Sequence, residues 1–565
     1  MPADLIILNG VIYGSDRSIT ALAVNDDVIS ALGSDEEIMK LKGENTKIID
    51  ADGKSVLPSF FDSHLHPSSV TEMYITKMML DIVAGPGDTR ECYTERIMTA
   101  LKEFADEHPD DEVVRATGWN PAFYYNFPEG MITREDIDKV VPDRPVFMRS
   151  YDHHGVLVNT ELLRRAGIDE NTPDPAGGVI HRDENGYPTG FFQETPAIDV
   201  IFDHYPQSDF SVEDMKIGIM GFQNDFAIPN GIFGVFDAYP TKNAIEAYRQ
   251  LAEEGKLKIR VRGCYFADPT KPFSQFEQII ADKGKDNVGE MFRIDTVKFF
   301  CDGGGFTFLL NEPFEPEVLK ANGFPEGYKG VSQWTQEAMN EAVAVLAKAG
   351  YQIHVHAMGD GAVKQTLNAF QYAKDQGADD SLRHSIAHIM LIDEEDINRM
   401  AELNVVASMQ PSWAMWDDFT EMSMVPLLGK ERTENQYPLG RIKKAGTVVS
   451  SGTDFPILAL INPLVGIEIG VLRSAPESYP GYDKWKGVIS GPEGNKKIDC
   501  MSLEDMIESY TLSGAYQMFL EERTGSLEAG KSADMLIMDR DFSAIDDLDI
   551  EKAAIVEKVF MGKVY

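Results

Sequence analysis

The sequence predicts an α/β protein: a TIM-like (β/α)8 barrel, a small β-domain formed by both termini, and a large insertion after the first barrel strand. Three observations predict it. Eight short apolar runs recur along the chain, several of them separated by helical patterns. Ligand-type residues sit at or just past the ends of five of these runs: His64 and His66, Lys298, His356, His388 and Asp454. Residues so far apart in sequence meet at the C-terminal mouth of a barrel, where strand ends converge. The gap between the first and second runs, residues 67–230, is too long for a crossover and reads as an inserted subdomain or lid.

From the N-terminus, Leu5-Ile-Ile-Leu-Asn-Gly-Val-Ile-Tyr and Ser18-Ile-Thr-Ala-Leu-Ala-Val read as strands. Asn25-Asp26-Asp27 turns the chain into Val28-Ile-Ser-Ala-Leu-Gly. The C-terminus carries matching strands, Asp534–Asp539 and Val556–Tyr565. Neither end can bury a core alone, so residues 1–57 and 525–565 are paired into one composite β-sandwich-like domain. The barrel runs are Leu57–Asp62, Ile232–Ala238, Lys258–Ala267, Ile294–Phe300, Gln352–His356, Ser385–Ile389, Val405–Met409 and Val448–Gly452, within a barrel domain spanning 58–524. Thr335–Ala349 has the helical period, with Met339, Ala342, Val343, Val345 and Leu346 on its apolar positions, and Asp393–Leu403 is a second helix. The insertion is rich in aromatics, notably Trp119-Asn-Pro-Ala-Phe-Tyr-Tyr-Asn-Phe.

Composition narrows the function. The 565 residues carry 52 Lys+Arg against 92 Asp+Glu, a net charge of -40. That balance argues against nucleic acid and anionic membranes as partners. No apolar run approaches the roughly 18 residues of a membrane span, and the start lacks the pattern of a signal peptide. Cys92, Cys264, Cys301 and Cys500 are scattered, without the spacing of a disulfide framework or a cysteine zinc site. The expectation is a cytoplasmic homodimer acting on a small molecule.

The site residues are read one by one. His64 and His66 alternate at a strand end, so their imidazoles point the same way. Neutral imidazole is a common ligand for zinc and other divalent metals. His356 and His388 lie at the expected mouth, whereas His354 and His384 lie deeper and read as packing or supporting residues. Asp454 can hold a metal and take a proton from the attacking water, although alone it would read as a turn aspartate. Lys298 stands in an otherwise apolar strand, where a free ammonium is costly. Either CO₂ carbamylates it into a bridging carboxylate, or it pairs with Asp302 or another acid. Trp119, Phe123, Tyr124, Trp413 and Trp416 are candidate pocket walls.

Taken together, these motifs resemble the large-insertion branch of the amidohydrolase superfamily, the branch of the N-substituted formamide deformylases. The motifs are Leu57-Pro-Ser-Phe-Phe-Asp-Ser-His-Leu-His, Tyr151-Asp-His-His, Val297-Lys-Phe-Phe-Cys-Asp-Gly, His356-Ala-Met-Gly-Asp, Arg383-His-Ser-Ile-Ala-His, Gly452-Thr-Asp-Phe-Pro and Gly525-Ser-Leu-Glu-Ala-Gly-Lys-Ser-Ala-Asp. The resemblance implies one or two divalent ions, zinc first. His64, His66 and Asp454 would hold one, His356 and His388 the other, with carbamylated Lys298 bridging. It also implies hydrolysis of an amide-type C–N bond, with Asp454 as proton shuttle and His154 and Arg383 orienting an N-acyl or N-formyl amine. Deamination, cyclic-amide opening and a catalytically silent regulatory role stand as alternatives on the same scaffold. Ser59, Gly361 and Gly304-Gly-Phe-Thr-Phe depart from the usual pattern and leave the substrate open.

Overall fold

The structure, a computed structural model, describes residues 1–85, 87–121, 124, 130–150, 155–175, 178–206, 209–488 and 497–565. The chain forms two compact units, one of Met1–Pro67 with Phe222–Tyr565, the other of Ser68–Gly221.

In the first unit, eight strands form one sheet: β1 (Phe60–Leu65), β2 (Ile232–Asp237), β3 (Arg260–Phe266), β4 (Phe292–Phe300), β5 (Gln352–Ala357), β6 (Ser385–His388), β7 (Val406–Met409) and β8 (Val449–Ser451). They are ordered sequentially, and every ladder pair is parallel. These strands are almost entirely buried, and the apolar residues that recur along them make all eight visible in the sequence. Helices such as Gln336–Lys348, capped by Thr335, and Asp360–Asp375 lie between successive strands.

The β1–β8 seam closes past the end of β8. The Asp454 N–H donates to the His64 carbonyl and the His66 N–H to the Phe455 carbonyl, each at 2.8 Å. Gly452 permits this approach: a Cβ there would lie 2.5 Å from the His64 nitrogen and 2.8 Å from its carbonyl oxygen. The predicted run Leu57–Asp62 is divided between two sheets. Ser55–Pro58 pairs antiparallel with Met535–Met538 in a terminal sheet, and the barrel strand starts at Phe60 and runs on to Leu65. His64 therefore lies inside its strand and only His66 beyond it.

The terminal segments form a four-stranded sheet and a five-stranded one, the latter with strands from both ends of the chain. Leu5, Ile7, Leu22, Val24, Val56, Met535, Ile537 and Val559 share one buried cluster. Arg260 of β3 is buried and pairs with Asp534 at 2.7 Å, joining barrel to terminal sheet.

The unit Ser68–Gly221 holds a six-stranded sheet and the helix Arg90–Glu107. It stops short of the expected residue 230, because Phe222 and Phe226 pack on Phe455 with ring centroids 6.3 and 4.9 Å away. Trp119 and Tyr124, expected at a pocket wall, are core residues of this unit. The Trp119 indole donates to the Met148 carbonyl, and the Tyr124 hydroxyl meets Thr94. Phe123 lies outside the described residues. No helix among the described residues is long and apolar enough to cross a membrane.

Gly452→Ala is expected to force β1 and β8 apart and to destabilise the chain by about 1–3 kcal/mol, the usual cost of overpacking. Chemical denaturation of the variant against wild type measures it.

Candidate metal centre

Three donor atoms converge at the β1–β8 seam. His64 Nε2 is 3.5 Å and His66 Nε2 is 3.1 Å from Asp454 Oδ1, and one ligand atom from each residue lies within 4.8 Å of the others. Two donors about 2.1 Å from a tetrahedral ion stand about 3.4 Å apart, so this spacing fits a divalent cation. Asp454 Oδ1 is buried and has no hydrogen-bond partner among the described residues, the state of a ligand oxygen. The imidazoles continue across the mouth. The His388 ring lies 4.8 Å from His64 and 4.5 Å from His356.

Lys298 is fully buried on β4, and its ammonium has no hydrogen-bond partner among the described residues. It sits 4.9 Å over the Phe300 ring. Burial pushes its pKa down to about 8. The alternative pairing with Asp302 is not formed. That carboxylate instead accepts backbone N–H groups from Met358, Gly359 and Leu309 at 2.9–3.0 Å. Burial also holds His64 and His388 well below the usual imidazole range, and His356 at about 3, with the Lys298 charge acting on all three. Each is neutral at neutral pH and offers a lone pair.

The positioning is local and strained. His388 and Asp454 adopt φ of 76° and 58°, a left-handed conformation that costs a non-glycine residue about 1–2 kcal/mol. Asp62 holds the seam that sets Asp454. Its fully buried carboxylate accepts from the Thr453 N–H at 3.1 Å, the Thr453 hydroxyl at 2.5 Å and the His64 N–H at 3.2 Å. Burial raises its pKa to about 7 against the pull of these donors. Gln410 orients His388. Its amide nitrogen donates to the Ser408 carbonyl, so its oxygen faces His388 Nδ1 at 2.8 Å and leaves Nε2 free. His356 Nε2 lies 3.5 Å from the Gly303 carbonyl, which leaves its Nδ1 lone pair available. Trp413 stacks on His388 at 5.6 Å, whereas the Trp416 indole is tied to Glu421.

A family model described as the amidohydrolase family matches residues 47–565. The chain belongs to the amidohydrolase family. It is 27% identical over 554 residues to YtcJ of Bacillus subtilis (strain 168), which carries an amidohydrolase name, covering 96% of this chain and 95% of that protein. It is 24% identical over 558 residues to N-substituted formamide deformylase of Arthrobacter pascens, covering 95% and 94%. The fold is shared with an uncharacterized metal-dependent hydrolase from Pyrococcus furiosus at a TM-score of 0.70 and 24% identity, over 96% of this chain and 99% of that one.

Two further residues were expected to orient substrate, His154 and Arg383. His154 lies outside the described residues. Arg383 precedes β6 and so stands at the opposite end of the barrel, about 16 Å from His388 at the usual strand rise. Its guanidinium donates to the Tyr516 carbonyl and Glu521 and lies over the Tyr516 ring, so it braces the barrel floor instead of orienting substrate. His384 also sits at that end, where its Nδ1 accepts the Ile353 N–H and its ring packs on Phe370. Sequence reasoning passed over Asp62, Thr453 and Gln410. Asp62 shares the alternation of His64 and His66, and that parity was the available signal.

Asp62→Ala leaves the Thr453 and His64 donors unpaired in a buried seam. At about 1–3 kcal/mol for each unsatisfied group, the variant is expected to lose at least about 2 kcal/mol of stability. Its midpoint in urea tests this.

Proposed function

We propose that the chain is a metal-dependent hydrolase of an amide-type C–N bond in a small molecule, with N-acyl or N-formyl amines as the substrate class. The observation that carries this reading is the convergence of His64, His66, His356, His388, Asp454 and Lys298 at one barrel mouth, with Asp454 Oδ1 and the Lys298 ammonium unpartnered among the described residues. His64, His66 and Asp454 would hold one ion, His356 and His388 a second, and carbamylated Lys298 would join them. A bound divalent ion supplies Lewis acidity, which makes water nucleophilic at neutral pH and polarises a carbonyl.

The chain's own residues do the rest. Asp454, held by its backbone bond to His64, accepts the proton of the attacking water and returns it to the leaving nitrogen. Trp413, lying against His388, offers an apolar wall for the acyl or amine group. His154 is retained as a substrate-orienting residue on the motif Tyr151-Asp-His-His. The buried amine of Lys298 is suited to carbamylation: with a pKa of about 8, about one molecule in ten carries the free base at pH 7. An ordinary lysine offers about one in 3,000.

Turnover of a panel of N-formyl and N-acyl amines by the zinc-loaded protein tests the substrate class, and release of amine from none of them contradicts it. Asp454→Asn keeps an oxygen ligand but removes the base. It is expected to retain metal and to lose about 10²–10⁴ in kcat, measured as turnover beside metal content. Incorporation of ¹³C-bicarbonate into Lys298 is expected to rise with pH up to about 8 and level off above it, because only the deprotonated amine attacks CO₂. The carbamate signal in ¹³C NMR follows this, and its absence in Lys298→Ala assigns it.

A further inference from the structure

We infer that His354 selects which nitrogen of His64 is presented to the metal site, and that Ser385 holds His354 in turn. The inference rests on the metal-site reading above. His354 is fully buried on β5, and both its ring nitrogens are engaged. Nε2 lies 2.7 Å from His64 Nδ1, and Nδ1 lies 2.6 Å from Ser385 Oγ. The ladder places His354 directly opposite Ser385, so strand register alone brings these two together. Phe236 packs on the His354 ring at 4.8 Å and seats it. With both nitrogens occupied, His354 is a positioning residue and not a ligand.

Each bond in this chain needs one hydrogen and one lone pair. Two arrangements satisfy both bonds. In the first, His64 Nδ1–H donates to His354, whose own Nδ1–H donates to Ser385, and His64 Nε2 is left with its lone pair facing Asp454. In the second, the Ser385 hydroxyl donates to His354, His354 Nε2–H donates to His64 Nδ1, and His64 Nε2–H points at Asp454 Oδ1, 3.5 Å away. The two hold the same number of protons. A cation at His64 Nε2 therefore selects the first without any change in charge along the chain. A serine end permits both directions, since a hydroxyl donates or accepts by rotating. A neutral imidazole as acceptor also spares the site a further negative charge beside Asp454, unlike the carboxylate that often backs a ligand histidine.

The test uses the full chain, stripped with a chelator and titrated with cobalt(II), reading both affinity and the visible spectrum of the bound ion. His354→Phe keeps the ring volume and removes the acceptor. It is expected to weaken cobalt binding about 10- to 100-fold, the usual effect of removing a group that orients a ligand, and to shift the absorption bands. His354→Gln returns an acceptor oxygen near the position of Nε2 and is expected to recover most of the affinity. Ser385→Ala is expected to fall between wild type and His354→Phe. Wild-type affinity and spectrum in His354→Phe overturn the inference, as does a His354→Gln variant that folds and binds no better than His354→Phe. Should His354→Phe fail to fold by circular dichroism, wild-type binding in Ser385→Ala overturns the inference, and weakened binding there with recovery in His354→Gln upholds it. A wild-type chain that binds no cobalt, or binds it undiminished in His66→Ala, overturns the metal-site reading itself.

Discussion

The buried carboxylate of Asp62 is the constraint on which the site depends. It lies on β1 and gathers the Thr453 amide, the Thr453 hydroxyl and the His64 amide. One side chain thus ties the first barrel strand to the segment that follows the last. The same seam carries the backbone exchange between His64, His66, Asp454 and Phe455. Barrel closure and assembly of the donor triad are consequently one event. Nothing else need bring Asp454 to the two histidines, and the left-handed turn at Asp454 persists because the seam over-determines it.

Below the mouth, the barrel interior is unusually polar. TIM barrels usually fill this space with layers of branched apolar side chains. Here Gln352 bonds Thr296 and the Gln517 carbonyl, Gln517 bonds Ser450 and the Ser63 carbonyl, and Ser63 meets Ser408. His354 stands between this layer and the ligand histidines. A network of this kind is sound only when its members are satisfied. Lys298 Nζ and Asp454 Oδ1, which have no partner among the described residues, both belong to the candidate metal centre. The polar interior thereby separates groups that support from groups left open for a ligand.

Much of the fold was legible in the sequence. All eight barrel strands were, because short apolar stretches of strand length recur there even where inward polar residues interrupt them. The ligand-type residues stood out because strand ends are where such runs turn polar. The seam was not legible, since it is made by two segments almost 400 residues apart and no local pattern announces their pairing. Arg383 was misplaced for a directional reason: it is near His388 in sequence, but a strand separates them and sends them to opposite ends of the barrel. Trp119 and Tyr124 looked like pocket aromatics because composition cannot distinguish a rim from the core of an inserted unit. Gln410 was missed because a glutamine at a strand end has no signature until its amide is seen braced by Ser408.

The central claim is that these residues form one metal centre at the barrel mouth. Anomalous diffraction from crystals of the zinc-loaded protein, collected on both sides of the zinc absorption edge, tests it most directly. The account predicts a peak bounded by His64, His66 and Asp454, and continuous density extending Lys298 beyond its Nζ when a second peak lies beside His356 and His388. Zinc bound elsewhere, with Asp454 turned away from the two histidines, would contradict it.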